Sequence, residues 1–153
     1  MMNLASDVIS RLAGRTLATA ESCTGGGIGA ALTAISGASA VYKGGIISYC
    51  NELKQNLLGV PAEILDAYGA VSAPVAEAMA AGARKATGAQ IGVSVTGLAG
   101  PGGDDFGNSV GTVYIGYADD IRCISKVFHF TGDREHVRQK AVEAALMLII
   151  EYT

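Results

Sequence analysis

One nine-residue stretch, Thr19-Ala20-Glu21-Ser22-Cys23-Thr24-Gly25-Gly26-Gly27, constrains the fold of this chain more than any other part of the sequence. Thr16 to Ala20 is predicted to be a short strand, and Ile28 to Ile35 a helix rich in small residues. The stretch between them is therefore a tight turn from strand to helix. Glycines allow positive φ angles and bring a ligand close to the backbone, and the first N–H groups of a helix have no partner within it. An ordinary glycine-rich turn without function has the same pattern.

Predicted helices and strands alternate along most of the chain. Helices are expected over 4–12, 28–35, 52–58, 61–68, 73–85 and 133–152, and strands over 16–20, 41–49, 91–96, 112–118 and 121–130. Strands separated by helices favour parallel pairing, whereas Asp119-Asp120 between the last two strands predicts a hairpin turn. Gly44-Gly45 inside the second strand predicts a bulge or a close backbone approach. We therefore expect an α/β fold with one domain over residues 1–153, a three-layer α/β/α sandwich with a mixed β-sheet.

Ligands bind at the carboxyl ends of the strands in sheets of this kind. Three loops then become candidates for one site: 21–27, 49–54 and 96–108. The start of the last helix, residues 131–134, is expected to form the opposite wall.

Ser22 is the leading candidate for a nucleophile, and it needs a base to remove its proton. His129 is placed in a strand and His136 on a polar helix face, so no Ser-His-Asp arrangement is predicted. A lysine base is the other established solution, and Lys54 opens a helix at a strand end. From spacing alone, a solvated helix lysine is the favoured explanation of that position.

Cys23 is a competing nucleophile, because a helix N-terminus lowers the pKa of a thiol. It is equally compatible with a small buried apolar residue behind the loop. The other two cysteines, Cys50 and Cys123, are interpreted as structural.

A second glycine-rich segment, Gly97-Leu98-Ala99-Gly100-Pro101-Gly102-Gly103, follows Thr96. Concave runs of backbone N–H groups bind phosphate or carboxylate. The spacing matches neither the Walker A pattern nor the dinucleotide-binding fingerprint. Arg134 and Arg138 share one face of the last helix, and arginine suits the geometry of a phosphate. Two ordinary surface arginines have the same spacing.

Charge and cysteine content exclude several function classes. The 153 residues carry a net charge of −3 without a basic cluster, so no nucleic-acid partner is expected. The three cysteines are widely spaced and no Cys/His set has metal-ligand spacing, so we expect no metal and no cofactor. A reduced, cytoplasmic setting is predicted. The longest apolar run near the end, 144–150, is too short to span a bilayer, so no membrane partner is expected.

As an ordered set, these motifs resemble the CinA C-terminal domain family, the nicotinamide-nucleotide amidohydrolases. They occur in family order and cover nearly the whole chain. The matching segments are Ala20-Glu21-Ser22-Cys23-Thr24-Gly25-Gly26, Gly45 to Lys54 with Tyr49, Asn51 and Lys54 as its core, Gly69-Ala70-Val71-Ser72, Thr96-Gly97 with Ala99-Gly100-Pro101, Gly111-Thr112-Val113, and Gly132-Asp133-Arg134 with Arg138.

The resemblance implies hydrolysis of the carboxamide of nicotinamide mononucleotide to nicotinic acid mononucleotide and ammonia. It implies Ser22 as the nucleophile, Lys54 as its base, no metal, and a homodimer or higher homo-oligomer. The substrate-binding residues that follow from the matched motifs are Glu21, Thr24, Gly25, Gly26, Tyr49, Asn51, Thr96, Gly97, Gly100, Arg134 and Arg138. Either arginine fits the role of holding the phosphate. Many family members carry a molybdopterin-binding-like domain ahead of this one, for which 153 residues leave no room.

Two alternatives remain open on the sequence. The chain is also compatible with a non-catalytic nucleotide-binding or regulatory module that keeps the two glycine-rich loops without turnover. An amidase that uses Cys23 as its nucleophile is the other alternative.

Overall fold

The order of elements in the structure, a computed structural model of residues Met1 to Thr153, follows the predicted alternation. The strands are β1 (Leu17–Glu21), β2 (Tyr42–Ile47), β3 (Ile91–Gly97), β4 (Thr112–Ala118) and β5 (Cys123–His129). The helices are α1 (Met2–Arg11), α2 (Gly27–Thr33), α3 (Asn51–Leu58), α4 (Ala62–Tyr68), α5 (Ala73–Thr87) and α6 (Arg134–Tyr152), with a single 3-10 turn at Ala38–Ala40. Every predicted helix and strand is present, with bounds within two residues of those expected.

The five strands form one sheet in the order β2-β1-β3-β4-β5. β1 pairs in parallel with β2 and β3, whereas β3, β4 and β5 pair antiparallel. Helices α1, α2 and α6 cover one face through the larger apolar cluster, and α3, α4 and α5 cover the other through the smaller one. The predicted three-layer α/β/α sandwich with a mixed sheet is confirmed.

Strand β1 lies at the centre of this arrangement, and all of its residues are buried. Ala18 and Ala20 pack in the cluster under α5, while Leu17 belongs to the cluster under α1 and α6. The chain leaves β1 for β2 on one side, and β3 lies on the other, so the strand order reverses here. Such a reversal opens a crevice at the carboxyl ends of the strands.

Glycines shape the backbone at two places in the fold, within β2 and between α3 and α5. The register of β2 slips between Tyr42 and Gly44, which leaves Lys43 unpaired and confirms the predicted bulge. On the other face, a Cβ atom at Gly82 of α5 would overlap the carbonyl oxygen of Leu58 at the end of α3. The two helices therefore touch through their backbones.

None of the helices has both the length and the apolar character that crossing a membrane would require.

Candidate active site

A cavity of about 280 Å³ opens at the carboxyl ends of β1, β2 and β3. Its walls come from the turn after β1, the segment after β2, the loop after β3 and the start of α6. The sequence-predicted residues that line it are Ser22, Cys23, Lys54, Tyr49, Asn51, Thr96, Gly97, Gly100 and Arg134. The topology thus brings together residues that lie more than one hundred positions apart in the chain.

Ser22 and Lys54 meet in the floor of the cavity. Ser22 directly follows β1, and its backbone N–H donates to the carbonyl of Val95 at 3.0 Å. Lys54 enters from α3, and its Nζ donates to Ser22 Oγ at 3.0 Å and to the carbonyl oxygen of Ser48 at 2.7 Å. Only 1% of Lys54 and 8% of Ser22 are exposed. The amine is therefore fixed from two sides and faces the hydroxyl.

Burial lowers the pKa of Lys54, because the ammonium form is poorly solvated in the protein interior. No carboxylate lies within 4.0 Å of its Nζ to oppose the shift, since all three ion pairs of the structure lie elsewhere. Glu52, the nearest acidic residue in sequence, is exposed. The site thus increases the share of neutral amine, which is the form that accepts a proton.

Glu21 does not line the cavity, although the family resemblance implied a role in substrate binding. Its carboxylate is buried and accepts hydrogen bonds from the N–H groups of Ile28 (2.8 Å) and Gly29 (3.0 Å) and from Thr24 Oγ1 (2.7 Å). These contacts satisfy the free N–H groups at the start of α2. Glu21 and the Thr24 side chain therefore hold the turn that presents Ser22.

Several N–H groups of the turn after β1 keep no acceptor within the chain. The N–H of Gly25 donates to the carbonyl of Ser22, and that of Gly27 to the carbonyl of Thr24. The N–H groups of Cys23, Thr24 and Gly26 make no hydrogen bond. Of these three residues only Cys23 lines the cavity, so its N–H is the donor next to Ser22 that remains free for a developing oxyanion.

Of the two alternatives for Cys23, the structure shows the small buried apolar residue. Burial raises the pKa of the Cys23 thiol to about 11, the opposite of the lowering expected at a helix N-terminus. Cys23 is 6% exposed and packs in the larger apolar cluster, so its thiol is a poor nucleophile near neutral pH. Cys50 and Cys123, interpreted from sequence as structural, are both exposed and unpaired.

The loop after β3 forms the opposite wall of the cavity. Thr96 Oγ1 donates to the carbonyl of Ala70 at 2.8 Å, which fixes the hydroxyl at the cavity edge. The N–H groups of Ala99, Gly100 and Gly102 have no acceptor within the chain. They provide the backbone donors that the glycine-rich sequence predicted.

The two arginines of α6 have different surroundings. Arg134 lines the cavity and donates to the carbonyl of Gly100 at 2.6 Å and to the hydroxyl of Tyr49 at 2.9 Å. Arg138 lies behind the turn, where it donates to the carbonyls of Cys23 at 3.0 Å and Thr24 at 3.2 Å. Arg134 is thus available to a ligand, while Arg138 supports the turn.

The sequence model that defines the CinA C-terminal domain family matches residues 2–153 of this chain. The chain belongs to the CinA C-terminal domain family. A CinA-like protein of Synechococcus sp. is 51% identical over 152 residues, which cover 96% of this chain and 36% of that protein. A CinA-like protein of Geobacter sp. is 50% identical over 131 residues, which cover 86% of this chain and 32% of that protein. The chain therefore spans about a third of the length of the curated CinA-like relatives it matches.

Solved structures of CinA relatives have the same fold. A competence/damage-inducible protein from Agrobacterium tumefaciens is 38% identical with a TM-score of 0.94, and the match covers 98% of this chain and 93% of that chain. A CinA superfamily protein from Escherichia coli is 35% identical with a TM-score of 0.97, covering 99% and 90% of the respective chains.

Two features of this CinA domain site did not emerge from the sequence. The residues Thr24, Gly25, Gly26 and Arg138 lie behind the cavity wall rather than in it. Ser48, which holds the Lys54 amine through its carbonyl, was not singled out at all. The available signal was its position after Ile46 and Ile47, at the carboxyl end of a strand that precedes Lys54.

Proposed function

We propose that this CinA-family chain hydrolyses the carboxamide of nicotinamide mononucleotide to nicotinic acid mononucleotide and ammonia. The observation that carries the proposal is the 3.0 Å contact between Lys54 Nζ and Ser22 Oγ in the floor of the cavity. A serine hydroxyl is inert until a base takes its proton, and burial lowers the pKa of Lys54, which increases the share of the neutral amine that can act as such a base.

The first half of the reaction forms an ester on Ser22. The Oγ attacks the carboxamide carbon while its proton passes to Lys54 Nζ. The oxyanion of the tetrahedral intermediate takes a hydrogen bond from the free N–H group of Cys23, which follows Ser22 and lines the cavity. Lys54 then gives the proton to the amide nitrogen, the carbon–nitrogen bond breaks, and ammonia leaves.

The second half removes the ester with water. Lys54, neutral again, accepts a proton from a water molecule as that water attacks the ester carbon. The proton passes from Lys54 back to Ser22 Oγ when the ester bond breaks. The products are the carboxylic acid, which releases its proton to solvent or to the ammonia formed, and the free serine, so the chain returns to its starting protonation state.

The opposite side of the cavity suits an anionic group. Arg134 keeps unused N–H donors beyond its contacts with Gly100 and Tyr49, and the loop after β3 adds free backbone N–H groups. Arginine and backbone donors together bind phosphate well. A substrate with a carboxamide at one end and a phosphate at the other matches this distribution of donors.

The decisive experiment is to incubate the purified chain with nicotinamide mononucleotide and to measure ammonia and nicotinic acid mononucleotide over time. Equal amounts of the two products are expected, and Ser22→Ala should form neither. Binding of the nucleotide without release of ammonia would refute the enzymatic proposal and support the non-catalytic nucleotide-binding module.

A further inference from the structure

Ser48 is a buried residue whose hydroxyl has no partner. It is 0% exposed, and its backbone is fully engaged, since its N–H donates to Glu21 and its carbonyl accepts from Lys54 Nζ at 2.7 Å. Its Oγ makes no hydrogen bond. A buried hydroxyl without a partner is unfavourable, so this one requires an explanation.

The strand register places Ser48 beside Ser22. Ala20 and Glu21 of β1 lie opposite Ile46 and Ile47 of β2, and the Ser48 N–H to Glu21 carbonyl bond continues that ladder. Ser22 and Ser48 are the first residues after β1 and β2, so continuing the register sets them side by side at the spacing of paired strands, about 4.8 Å.

The Ser48 side chain lies on the face of the sheet that is covered by α3, the helix that carries Lys54. Ile47 points towards α2, because a Cβ atom at Gly26 would lie 3.1 Å from its Cδ1. Side chains alternate along an extended chain, so Ser48 points to the other face. Ile46 packs on that face against the cluster under α5. The unpartnered hydroxyl thus lies on the same face of the sheet as the Ser22–Lys54 pair, without a hydrogen bond to either residue in this structure.

The hydrogen-bonding capacity of Lys54 gives this hydroxyl a role. A neutral amine has two N–H donors and a lone pair, whereas an ammonium has three donors. In this structure Ser22 Oγ and the Ser48 carbonyl each accept one N–H from Lys54. The ammonium has a third N–H, for which these two contacts leave no acceptor.

We infer that the Ser48 hydroxyl is the acceptor that stabilises the Lys54 ammonium formed during the reaction, which makes Ser48 a positioning residue. Its place in the catalytic cycle rests on the proposed amidohydrolase function. A hydrogen bond from the Lys54 ammonium to the Ser48 hydroxyl does not depend on that function, and it can be measured separately. In acylation the proton moves from Ser22 to Lys54 and then to the leaving nitrogen, while Ser48 gains and loses no proton.

Few other groups influence the charge of Lys54. Cys50, at the start of its own helix, and Cys23, on the turn, both act to raise its pKa, less strongly than burial lowers it. The Glu21 carboxylate is bonded to the start of α2. The charged residues of α4 and α5 are engaged or solvated elsewhere: Glu63, Asp66 and Lys85 are exposed, Glu77 accepts from Ser125, and Arg84 donates to the Asp119 carbonyl.

The test is to titrate Lys54 in the whole chain by NMR after labelling the lysine side chains with ¹³C at Cε, with Lys54→Met to assign its signal. Ser48→Ala should lower the pKa of Lys54 by about one unit, since a hydrogen bond to a charged group is lost. Ser48→Cys keeps the volume with a poorer acceptor, so it should lower the pKa in the same direction. Ser48→Thr keeps a hydroxyl and should titrate like the wild type.

Ser94→Ala is the matched control. Ser94 is also fully buried on this face, but its hydroxyl donates to the Ala76 carbonyl at 2.5 Å. That variant should leave the Lys54 titration unchanged. An unchanged titration in both Ser48→Ala and Ser48→Cys would overturn the inference about Ser48.

Kinetics provides the second readout. If the chain hydrolyses nicotinamide mononucleotide, the acidic limb of its kcat/KM profile should move to lower pH in Ser48→Ala by the same amount as the titration, with a reduced kcat. Absence of hydrolysis by the wild type would refute the proposed function, while the NMR titration would still decide whether Ser48 contacts Lys54.

Discussion

Arg138 follows Arg134 by one turn of α6, yet the two guanidinium groups bond to different loops. Arg134 reaches the Gly100 carbonyl and the Tyr49 hydroxyl at the cavity mouth. Arg138 reaches the carbonyls of Cys23 and Thr24 behind the nucleophile turn. The sequence left open which arginine holds a phosphate, and this difference favours Arg134.

Replacing Arg134 with Ala should therefore affect substrate binding. We expect KM for nicotinamide mononucleotide to rise ~10-fold with kcat less changed, because this arginine is solvent-exposed and its electrostatic contribution is partly screened. The measurement is steady-state kinetics with the mononucleotide and with nicotinamide riboside, which lacks the phosphate. The riboside should be a poor substrate for both proteins. An equal loss on both substrates would show that Arg134 does not act through the phosphate.

Replacing Arg138 with Ala should instead lower kcat. The loss of two hydrogen bonds to the turn carbonyls lets Ser22 and its neighbouring N–H groups shift, and a displacement of ~1 Å at a reacting centre costs up to ~100-fold in rate. Arg138→Lys keeps the charge and one donor, so it should recover part of the rate. A variant in which KM rises while kcat is preserved would identify Arg138 as a substrate ligand after all.

Ser22 and Lys54 should behave as one catalytic unit. Ser22→Ala and Lys54→Ala are each expected to reduce kcat by on the order of 10³-fold or more, and the double variant should be little worse than either. Wild-type protein denatured during turnover should carry a nicotinoyl ester on Ser22, visible by mass spectrometry of its peptides. A label on Cys23, or near-normal kcat in Lys54→Ala, would contradict this assignment.

The lowered pKa of Lys54 should also appear in the pH dependence of stability. Between that lowered value and the ordinary 10.5, the unfolded chain binds more protons than the folded one, so the free energy of unfolding rises with pH. Lys54→Met should lack this rise. Urea unfolding between pH 7 and pH 10 measures it, with Lys85→Met at an exposed position of α5 as the control for loss of a lysine. Identical slopes in wild type and Lys54→Met would mean that burial does not perturb the amine.

Local patterns were sufficient to predict the elements of this fold. Apolar spacing, the glycine stops and the Asp119-Asp120 turn specify each helix and strand, because these signals depend only on neighbours in sequence. The Asp119 carboxylate indeed accepts from the N–H groups of Ile121 and Arg122, which closes the hairpin.

Interactions between distant residues could not be predicted in the same way. The Ser22–Lys54 contact depends on how far α3 lies from β1, which the spacing of the two residues does not specify. Glu21 was expected to bind substrate but contacts the start of α2. The sequence does not distinguish these outcomes, because a carboxylate beside a glycine-rich turn can face either a ligand or the next helix. The Cys23 thiol was ambiguous because burial and the helix N-terminus act on its pKa in opposite directions, and only the packing decides which dominates.

The backbone contact between Gly82 and Leu58 has a consequence for how natural sequence variants are interpreted. Leu58 ends the helix that carries Lys54 one turn earlier, and any side chain at position 82 would overlap its carbonyl oxygen. A Gly82→Ala substitution would push that helix and its amine away from Ser22 without altering any residue that faces the substrate. A loss of activity in such a variant would then originate from the changed spacing between α3 and α5. A survey of sequence variants that considers only cavity-lining residues would classify Gly82→Ala as harmless.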